Sequence, residues 1–391
     1  MIRPGDTVKL IFAGGGTGGH LYPALAIADR VKELIAPLHP VDIQFVGTRK
    51  GIEYRISDKL GYPISFIQMQ GIARALTLRN VLVPFIVAIG LFQSWRLIGR
   101  IAPQMVIGTG GYVSWPVLKA AQLKKVPTVI QEQNSFPGIA TRRLAAGAQV
   151  VYLGFEDAKS YLSTGANCLL TGNPVRAELR NATRTEALSA FKLDPNKKTI
   201  LVFGGSQGAH AINLAVLTAL LAGDISQDYQ LLWLTGKREY TEVLERTKDK
   251  AASHALFPYE HRMNLVYAAA DVAIARAGAL TLAELEMCGV PALLIPFPHA
   301  AGDHQRKNAE SYSALGFAEV VDENRLDESS ILTRAIQLLE SGRTDQMRNK
   351  IIAHRNSRPT AVDLIAKDII QRLGITSSQA TPQLQEHNGN S

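Results

Sequence analysis

Short apolar runs alternate with stretches of helical periodicity along most of the chain. The runs Val8 to Phe12 and Thr199 to Phe203 are each followed by a glycine-rich turn and then by apolar residues that recur every three or four positions. This pattern is typical of a buried strand that leads into an amphipathic helix. Because the same unit occurs in both halves, we predict an α/β protein of two Rossmann-like, doubly wound domains with parallel sheets.

The polar segments between and after the two repeats predict the domain boundaries. We place an N-terminal domain at residues 1–175, a linker at 176–198 and a C-terminal domain at 199–358. A helix at 359–375 is expected to pack back on the N-terminal domain. Residues 376–391 are rich in Ser, Gln, Thr and Asn, which predicts a disordered tail.

The composition narrows the class of partner. The net charge of +8 favours an anionic partner, which could be a membrane surface, a nucleic acid or a phosphorylated ligand. The sequence has no recognised nucleic-acid motif and no dense Lys/Arg cluster, so we expect no nucleic acid. The two cysteines, Cys168 and Cys288, lie far apart, and Met1 leads directly into a charged segment. These features predict a reducing compartment and no secretion.

The first glycine-rich turn matches a nucleotide-binding pattern. Within Phe12 to Ala28, Gly14, Gly16 and Gly19 have the spacing G-x-G-x-x-G of dinucleotide-binding loops. Such a site also needs an acidic residue at the end of the second strand, whereas Val41 to Gly47 is followed by Thr and Arg. We therefore expect no dinucleotide cofactor. The loop either faces a diphosphate with its backbone N–H groups or serves only a tight turn.

Two further turns could face the same cleft. Gly108 to Ser114 follows an apolar run, and Arg276 to Gly278 precedes a predicted helix. Glu284 on that helix could accept hydroxyl groups of a sugar, or it could merely complement the helix dipole. Farther along, Gln305 and Asn308 are three residues apart and could offer side-chain amides to sugar hydroxyls from one helix face.

Seven motifs occur in the order found in one enzyme family: GGGTGGHLYPALA, GTGGYVS, QEQN, GNPVR, GGSQGA, RAGALTLAE and DHQRKNA. On these motifs the chain, from about Val8 to about Leu373, resembles the MurG family of peptidoglycan glycosyltransferases. The resemblance implies a GT-B fold, in which two Rossmann-like domains face a cleft. It also implies β-1,4 transfer of N-acetylglucosamine from UDP-N-acetylglucosamine to undecaprenyl-diphosphate-linked N-acetylmuramyl pentapeptide, at the cytoplasmic face of the inner membrane.

The resemblance also implies which residues bind the substrates. Tyr112 and Ser114 are expected on the acceptor side, where Trp115 replaces a usual small residue. Glu260 departs from the family as well, since an apolar residue is common there. The implied donor-binding residues are Thr17, Gly18, Gly19, Asn134, Arg176, Ser206, Glu260, Ala279, Leu280, Thr281, Leu282, Ala283, Glu284 and Gln305.

The expected reaction is an inverting displacement, in which an acceptor hydroxyl attacks the anomeric carbon and UDP leaves. His20 is the candidate general base, because the positive potential at a helix N-terminus favours the neutral ring. Alternatively, His20 orients a loop or binds a phosphate, and the base is another group near Tyr112 or Asn134. The sequence has no Asp-x-Asp pair, so we expect no metal. Helix N-termini and Arg176 would then meet the leaving charge.

One apolar segment predicts contact with a membrane surface. Apolar residues flanked by arginines can sink into the headgroup region while the charges meet anionic lipid. An ordinary core helix is the alternative, and the run is too short to span a bilayer. The residues expected at the membrane are Leu76, Leu78, Val81, Leu82, Phe85 and Ile86, flanked by Arg74, Arg79, Arg96 and Arg100.

Three other functions fit the same pattern. The chain could be a GT-B glycosyltransferase that acts on another membrane lipid such as diacylglycerol, a UDP-sugar epimerase of similar fold, or a non-catalytic UDP-sugar-binding scaffold. Dependence of the activity on lipid would argue against an epimerase. Loss of transfer with retained donor binding in His20→Ala would argue against a scaffold.

Overall fold

The computed structural model describes residues 2–3, 5–70, 83–205, 207–326 and 330–375. Within these ranges the strands are β1 (Val8–Gly14), β2 (Val41–Gly47), β3 (Ile64–Phe66), β4 (Met105–Gly110), β5 (Thr128–Glu132), β6 (Val150–Leu153), β7 (Cys168–Leu170), β8 (Lys198–Phe203), β9 (Tyr229–Leu234), β10 (His254–Phe257), β11 (Val272–Ala275), β12 (Ala292–Leu294) and β13 (Ala318–Val320). The predicted tail at 376–391 lies outside the described residues.

The helices connect these strands on both faces of the sheets. They are α1 (Gly18–Ile35), α2 (Ile52–Arg55), α3 (Val83–Ile101), α4 (Ser114–Leu123), α5 (Ile139–Leu144), α6 (Arg184–Ala190), α7 (His210–Ala222), α8 (Tyr240–Thr247), α9 (Met263–Ala269), α10 (Ala279–Cys288), α11 (His304–Ala314), α12 (Ile331–Glu340), α13 (Arg343–Asn356) and α14 (Ala361–Arg372). None of the helices in the described ranges is long and apolar enough to cross a membrane.

The strands form two parallel sheets, one in each half of the chain. The first has the order β3-β2-β1-β4-β5-β6-β7, and the second has the order β10-β9-β8-β11-β12-β13. In both sheets the chain builds outward from a central strand in one direction and then in the other. The order reverses beside β1 and beside β8, and open parallel sheets bind ligands in the crevice beyond the carboxyl ends of the strands at such points. The predicted doubly wound α/β architecture is confirmed.

Each sheet is buried on both faces, which explains the continuous apolar runs in the sequence. In the first sheet the Phe12 and Phe45 rings stack with their centroids 5.4 Å apart. In the second sheet Trp233 is fully buried, and its indole N–H donates to Asn213 Oδ1 at 3.0 Å. The polar atom of this large side chain is therefore satisfied inside the core.

The last described helix, α14, packs on α1 of the N-terminal half. Arg30 Nε donates to Asp363 Oδ1 at 2.7 Å, and the Tyr152 hydroxyl donates to Asp368 Oδ2 at 2.7 Å. Ile365 and Ile369 are fully buried in the same apolar cluster as β1 and β2. The chain therefore crosses from the second sheet back to the first, while the domain boundaries drawn from composition stay a prediction.

The segment that joins the two sheets contains only short helical turns. The polar stretch from Ala177 to Phe191 divides into a single 3₁₀ turn at Ala177–Arg180 and the short helix α6. Thr183 begins α6 with a capping box, because its side chain accepts from Glu186 N while the Glu186 carboxylate accepts from Thr183 N. This cap fixes the start of the helix beyond the 3₁₀ turn.

Candidate active site

A cavity of about 760 Å³ lies between the two sheets, and residues that follow the carboxyl ends of strands in both halves line it. The N-terminal half contributes the start of α1 and the turn after β5. The C-terminal half contributes the turns after β8, β9 and β11. The lining residues from the predicted set are Thr17, Gly18, Gly19, His20, Asn134, Arg176, Glu260, Ala279, Leu280, Thr281, Glu284 and Gln305.

The N-terminus of α1 points its first turn at this cavity. Thr17 has an extended backbone and precedes the helix, and Gly18 and Gly19 form its first two positions. The first N–H groups of a helix have no partner within the helix, and the aligned peptide dipoles add positive potential there. This end of α1 can therefore hold an anion, and it places the half-buried His20 at the same edge.

The N-terminus of α10 reaches the cavity from the other domain. The helix begins at Ala279 after the extended Gly278, as the sequence predicts. Glu284 lies in its second turn, where its Oε2 accepts a hydrogen bond of 2.6 Å from the buried Tyr267 hydroxyl. Burial raises the pKa of Glu284, against the opposing effects of the Tyr267 hydrogen bond and the Arg176 charge. Glu284 is thus a carboxyl group held at a fixed angle at the cavity wall.

Arg176 brings a cation to the cavity from the segment between the domains. Its guanidinium lies 4.8 Å from the centre of the Tyr22 ring, within the range of a cation–π interaction. Tyr22 is on α1 and also lines the cavity, although it was not among the predicted site residues. Arg176 and the two helix N-termini therefore line the same cavity.

Glu260 lies in the cavity wall, but its own segment engages its carboxylate. Glu260 Oε1 accepts from the backbone N–H groups of His261 and Arg262 at 2.8 Å, and Oε2 accepts from the Arg262 guanidinium at 2.7 Å. The Arg262 hydrogen bond holds the pKa of Glu260 below its ordinary value. The unusual acid therefore stabilises the 258–263 turn, which leaves the backbone of that turn to face a ligand.

Two amides predicted on one face of α11 have different surroundings. Gln305 lines the cavity, where its Oε1 accepts from Phe297 N at 3.0 Å. Asn308 is fully buried instead, because its Oδ1 accepts from Ser135 N at 3.1 Å and its Nδ2 donates to Ala277 O at 3.3 Å. Asn308 thus joins the two domains and does not offer its amide to a sugar.

Several other predicted residues do not face the cavity. Leu282 and Ala283 pack in the C-terminal core, because the phase of α10 turns them inward between Thr281 and Glu284. Ser114 is buried, and its hydroxyl lies 2.6 Å from the Ala13 and Gly110 carbonyl oxygens. It is therefore turned into the protein and away from the cavity where an acceptor substrate would bind. The predicted residues that lie outside the described ranges are Ser206, Arg74, Leu76, Leu78, Arg79, Val81 and Leu82.

A buried carboxylate organises the first glycine loop. Glu53 on α2 is fully buried, and it accepts from Gly16 N at 2.8 Å and from the N–H and hydroxyl of Thr48 at 2.8 and 3.1 Å. The Thr48 hydroxyl in turn contacts the Tyr112 hydroxyl at 3.2 Å, and the Tyr112 ring packs against Gly16. A dinucleotide site has an acid at the strand tip that binds a ribose, whereas this acid lies farther along, in α2, and binds the loop itself.

This carboxylate also explains three glycines. A Cβ on Gly15, Gly47 or Gly51 would lie 2.1 to 2.6 Å from a Glu53 side-chain atom. The Gly16 N–H is therefore already bound to a protein carboxylate, while the diphosphate-facing role of the whole loop stays a prediction. The part of the loop that lines the cavity is the α1 N-terminus at Thr17 to Gly19, and anion binding there stays a prediction. The sequence reasoning missed Glu53 because it lies beyond the strand tip, in a separate helical turn.

Among the described residues, no group of three or more His, Cys, Asp or Glu side chains could hold a metal ion.

Two family models match the chain. The glycosyltransferase family 28 N-terminal domain matches residues 10–153, and the family 28 C-terminal domain matches residues 199–365.

Relatives with the same domains are similar over nearly the whole chain. The UDP-N-acetylglucosamine--N-acetylmuramyl-(pentapeptide) pyrophosphoryl-undecaprenol N-acetylglucosamine transferase of Salinibacter ruber is 41% identical over 365 residues, which are 92% of this chain and 96% of that protein. The protein of the same name from Chlorobaculum parvum is 40% identical over 87% of this chain and 93% of its own length. The chain belongs to the MurG family.

Solved structures agree with this family. The crystal structure of MurG from Acinetobacter baumannii has a TM-score of 0.71 at 26% identity and covers 93% of this chain and 99% of its own. A UDP-GlcNAc 2-epimerase from Neisseria meningitidis has a TM-score of 0.65 at 14% identity over 95% of this chain and 100% of its own, a likeness of fold alone. The resemblance to the MurG family and the predicted GT-B fold are confirmed.

The role of Glu53 is tested by removing its carboxylate. Glu53→Ala should lower the free energy of unfolding by about 3 kcal/mol, because each buried donor left without a partner costs about 1–3 kcal/mol. Urea unfolding measures this loss. Glu33→Ala, at an exposed position of α1, is the control and should change stability by less than about 1 kcal/mol. A Glu53→Ala protein within about 0.5 kcal/mol of the wild type would contradict the assignment.

Proposed function

We propose that this chain transfers N-acetylglucosamine from UDP-N-acetylglucosamine to undecaprenyl-diphosphate-linked N-acetylmuramyl pentapeptide, with inversion at the anomeric carbon. The observation that carries the proposal is the meeting of two helix N-termini, from α1 and α10, at one cavity that also holds His20, Arg176 and Glu284. The activity for which relatives about 40% identical over most of the chain are named supports the same reaction.

The donor half of the cavity fits a nucleoside diphosphate sugar. The α10 N-terminus at Ala279 to Thr281 would hold the diphosphate, and Arg176 would add a cation to it. Glu284 would accept the ribose hydroxyls with the oxygen that Tyr267 leaves free. The backbone of the 258–263 turn would contact the uracil, which is compatible with Glu260 because its side chain binds the turn itself.

The N-terminal half would supply the chemistry. The acceptor hydroxyl attacks the anomeric carbon of the donor and loses its proton to His20, while the bond from that carbon to the UDP oxygen breaks. The charge that develops on UDP meets the N–H groups of the helix N-termini and Arg176. Because these donors are fixed before the reaction, they need little reorganisation as the charge forms.

The membrane side of the proposal rests on α3. Phe85, Ile89 and Phe92 follow one another at helical spacing and are 67%, 44% and 58% exposed. Trp95 continues this face, and the ammonium of Lys124 lies 3.7 Å from its ring centre. Of the residues predicted at the membrane, Phe85 is exposed and Ile86 is partly buried. Apolar side chains beside cations suit the headgroup region of an anionic bilayer, at the cytoplasmic face of the inner membrane.

Transfer of a radiolabelled sugar tests the function directly. We expect product from labelled UDP-N-acetylglucosamine on a lipid-diphosphate muramyl acceptor and none on diacylglycerol.

His20→Ala should lower kcat by about 10²- to 10⁴-fold, the usual contribution of a general base, and leave donor binding within about twofold. His210→Ala, on an exposed position of α7, is the control. Product on diacylglycerol alone would overturn the proposal, and full transfer by His20→Ala would overturn the base assignment.

The raised pKa of Glu284 predicts how the binding of UDP depends on pH. Because burial raises its pKa, the carboxylate takes up a proton at a higher pH than an exposed glutamate does. The affinity for UDP should therefore fall as the pH is lowered, and the fall should begin above the ordinary range for glutamate. Glu284→Gln should bind UDP about 10- to 100-fold more weakly and lack this component of the pH dependence. Calorimetry of both proteins measures it, and identical pH profiles would contradict the ribose assignment.

Vesicle binding tests the α3 surface. The double substitution Phe85→Ser/Phe92→Ser should weaken binding to phosphatidylglycerol vesicles by at least about tenfold, because the burial of each phenylalanine in lipid contributes about 1.5–3 kcal/mol. The matched control is Leu214→Ser/Leu221→Ser on α7, where the leucines are 46% and 42% exposed. Equal vesicle binding by the two double variants would remove α3 as the membrane contact.

A further inference from the structure

A chain of side-chain amides leads from His20 through the buried Gln131 and Gln133 to Asn173, near the end of the N-terminal half. His20 Nδ1 lies 2.9 Å from Gln133 Oε1 and 3.1 Å from Thr109 O. Gln133 Nε2 donates to Thr109 O at 2.7 Å and also to Gln131 Oε1. Gln131 Nε2 donates to Asn173 Oδ1 at 3.1 Å, and Asn173 Nδ2 returns to the Gln133 carbonyl at 2.9 Å.

The orientation of the Gln133 amide is fixed by carbonyl oxygens at both ends of this chain. Rotating the amide by half a turn would aim Gln133 Oε1 at the Thr109 carbonyl, where two acceptors would repel. Rotating all three amides together would aim Asn173 Oδ1 at the Gln133 carbonyl, with the same result. A backbone carbonyl only accepts hydrogen bonds, so a single arrangement of the amides satisfies every contact. Gln131 and Gln133 are 0% and 2% exposed, so water has little access to pair with the amide groups that the other arrangements would leave without partners.

This arrangement decides where the His20 ring carries its proton. Nδ1 lies between two acceptors, Thr109 O and Gln133 Oε1, and must therefore donate. A neutral imidazole has one N–H, so the other nitrogen keeps its lone pair. In the described part of the chain no hydrogen bond engages His20 Nε2, and the ring lines the cavity. The ring also packs directly on Gly110, where a Cβ would lie 2.7 Å from Nδ1.

We infer that Gln133 is a positioning residue that holds the neutral His20 ring in the Nδ1–H tautomer and thereby makes Nε2 the atom that accepts the proton. The inference rests on the proposed function only in taking His20 as the base. The Gln133 and Gln131 amides thereby link His20 to Asn173 through hydrogen bonds alone. Asn173 lies three residues before Arg176, the cation at the cavity.

Nitrogen NMR of the wild-type protein tests the tautomer without any substitution. With ¹⁵N-labelled histidine, at a pH where the ring is neutral, Nδ1 of His20 should have the shift of a protonated nitrogen and Nε2 that of an unprotonated one. The signals are assigned by their loss in His20→Gln. A wild-type ring protonated at Nε2 would overturn the inference, whatever the variants do.

The substitution Gln133→Met tests whether Gln133 sets the tautomer of His20. It removes the acceptor at Nδ1 while it keeps side-chain length, so the Nε2–H tautomer should gain population. The kcat of transfer should fall by about 10- to 100-fold, less than the full contribution of a general base because Thr109 O still accepts from Nδ1. The KM for the donor should stay within about twofold. Gln122→Met is the control, because Gln122 binds Leu144 O and Thr128 Oγ1 away from His20.

The outcomes separate this inference from the proposed function. A wild-type tautomer that persists unchanged in Gln133→Met contradicts the role of Gln133. A shifted tautomer with an unchanged kcat contradicts its link to the reaction. If the wild-type protein transfers no sugar to the lipid acceptor, the proposed function fails while the NMR result on the ring still stands.

Discussion

The parallel arrangement of the strands is the constraint on which the rest of the structure depends. Parallel strands that are joined by helices bring all their carboxyl ends to one edge of the sheet, and each helix that follows begins at that edge with its positive end. Two such sheets occur here, and their carboxyl edges border one cavity. The start of α1, with His20, and the start of α10, with Glu284, face each other for this reason. A diphosphate can thus be held between two domains without a cluster of charged side chains.

Buried polar contacts then fix the loops at these edges. Glu53 holds the first glycine loop through Gly16, Tyr267 holds Glu284, and Gln133 holds His20. Each contact uses a buried side chain of the protein to orient a loop or a side chain at the border of the cavity. Such contacts cost little when all partners are satisfied, and they leave few alternative geometries. The protein itself therefore orients Glu284 and His20 at the cavity, and such preorganisation is what electrostatic stabilisation of a leaving group needs.

The sequence pattern predicts the architecture well because strands that are buried on both faces of a parallel sheet need continuous runs of apolar residues. The strand Val41–Gly47 and the helix start at Ala279 coincide with their predicted positions. The direction of individual side chains is less accessible, since Ser114, Leu282 and Asn308 lie within motifs but turn toward the core or the domain contact. Their direction depends on helix phase and on partners distant in sequence. Gln133 lies within the motif QEQN and Glu53 lies outside the motifs, but the contacts that define their roles are made with residues far along the chain, which the sequence pattern does not show.

The central claim is a single displacement at the anomeric carbon, carried out between the two helix N-termini. The most direct test is the anomeric configuration of the product, read from the proton coupling of the transferred sugar by NMR after reaction of UDP-N-acetylglucosamine with the lipid-linked muramyl acceptor. An attack by the acceptor hydroxyl opposite the leaving UDP predicts a β-linked sugar from the α-linked donor. An α-linked product would require a different mechanism and would contradict the account.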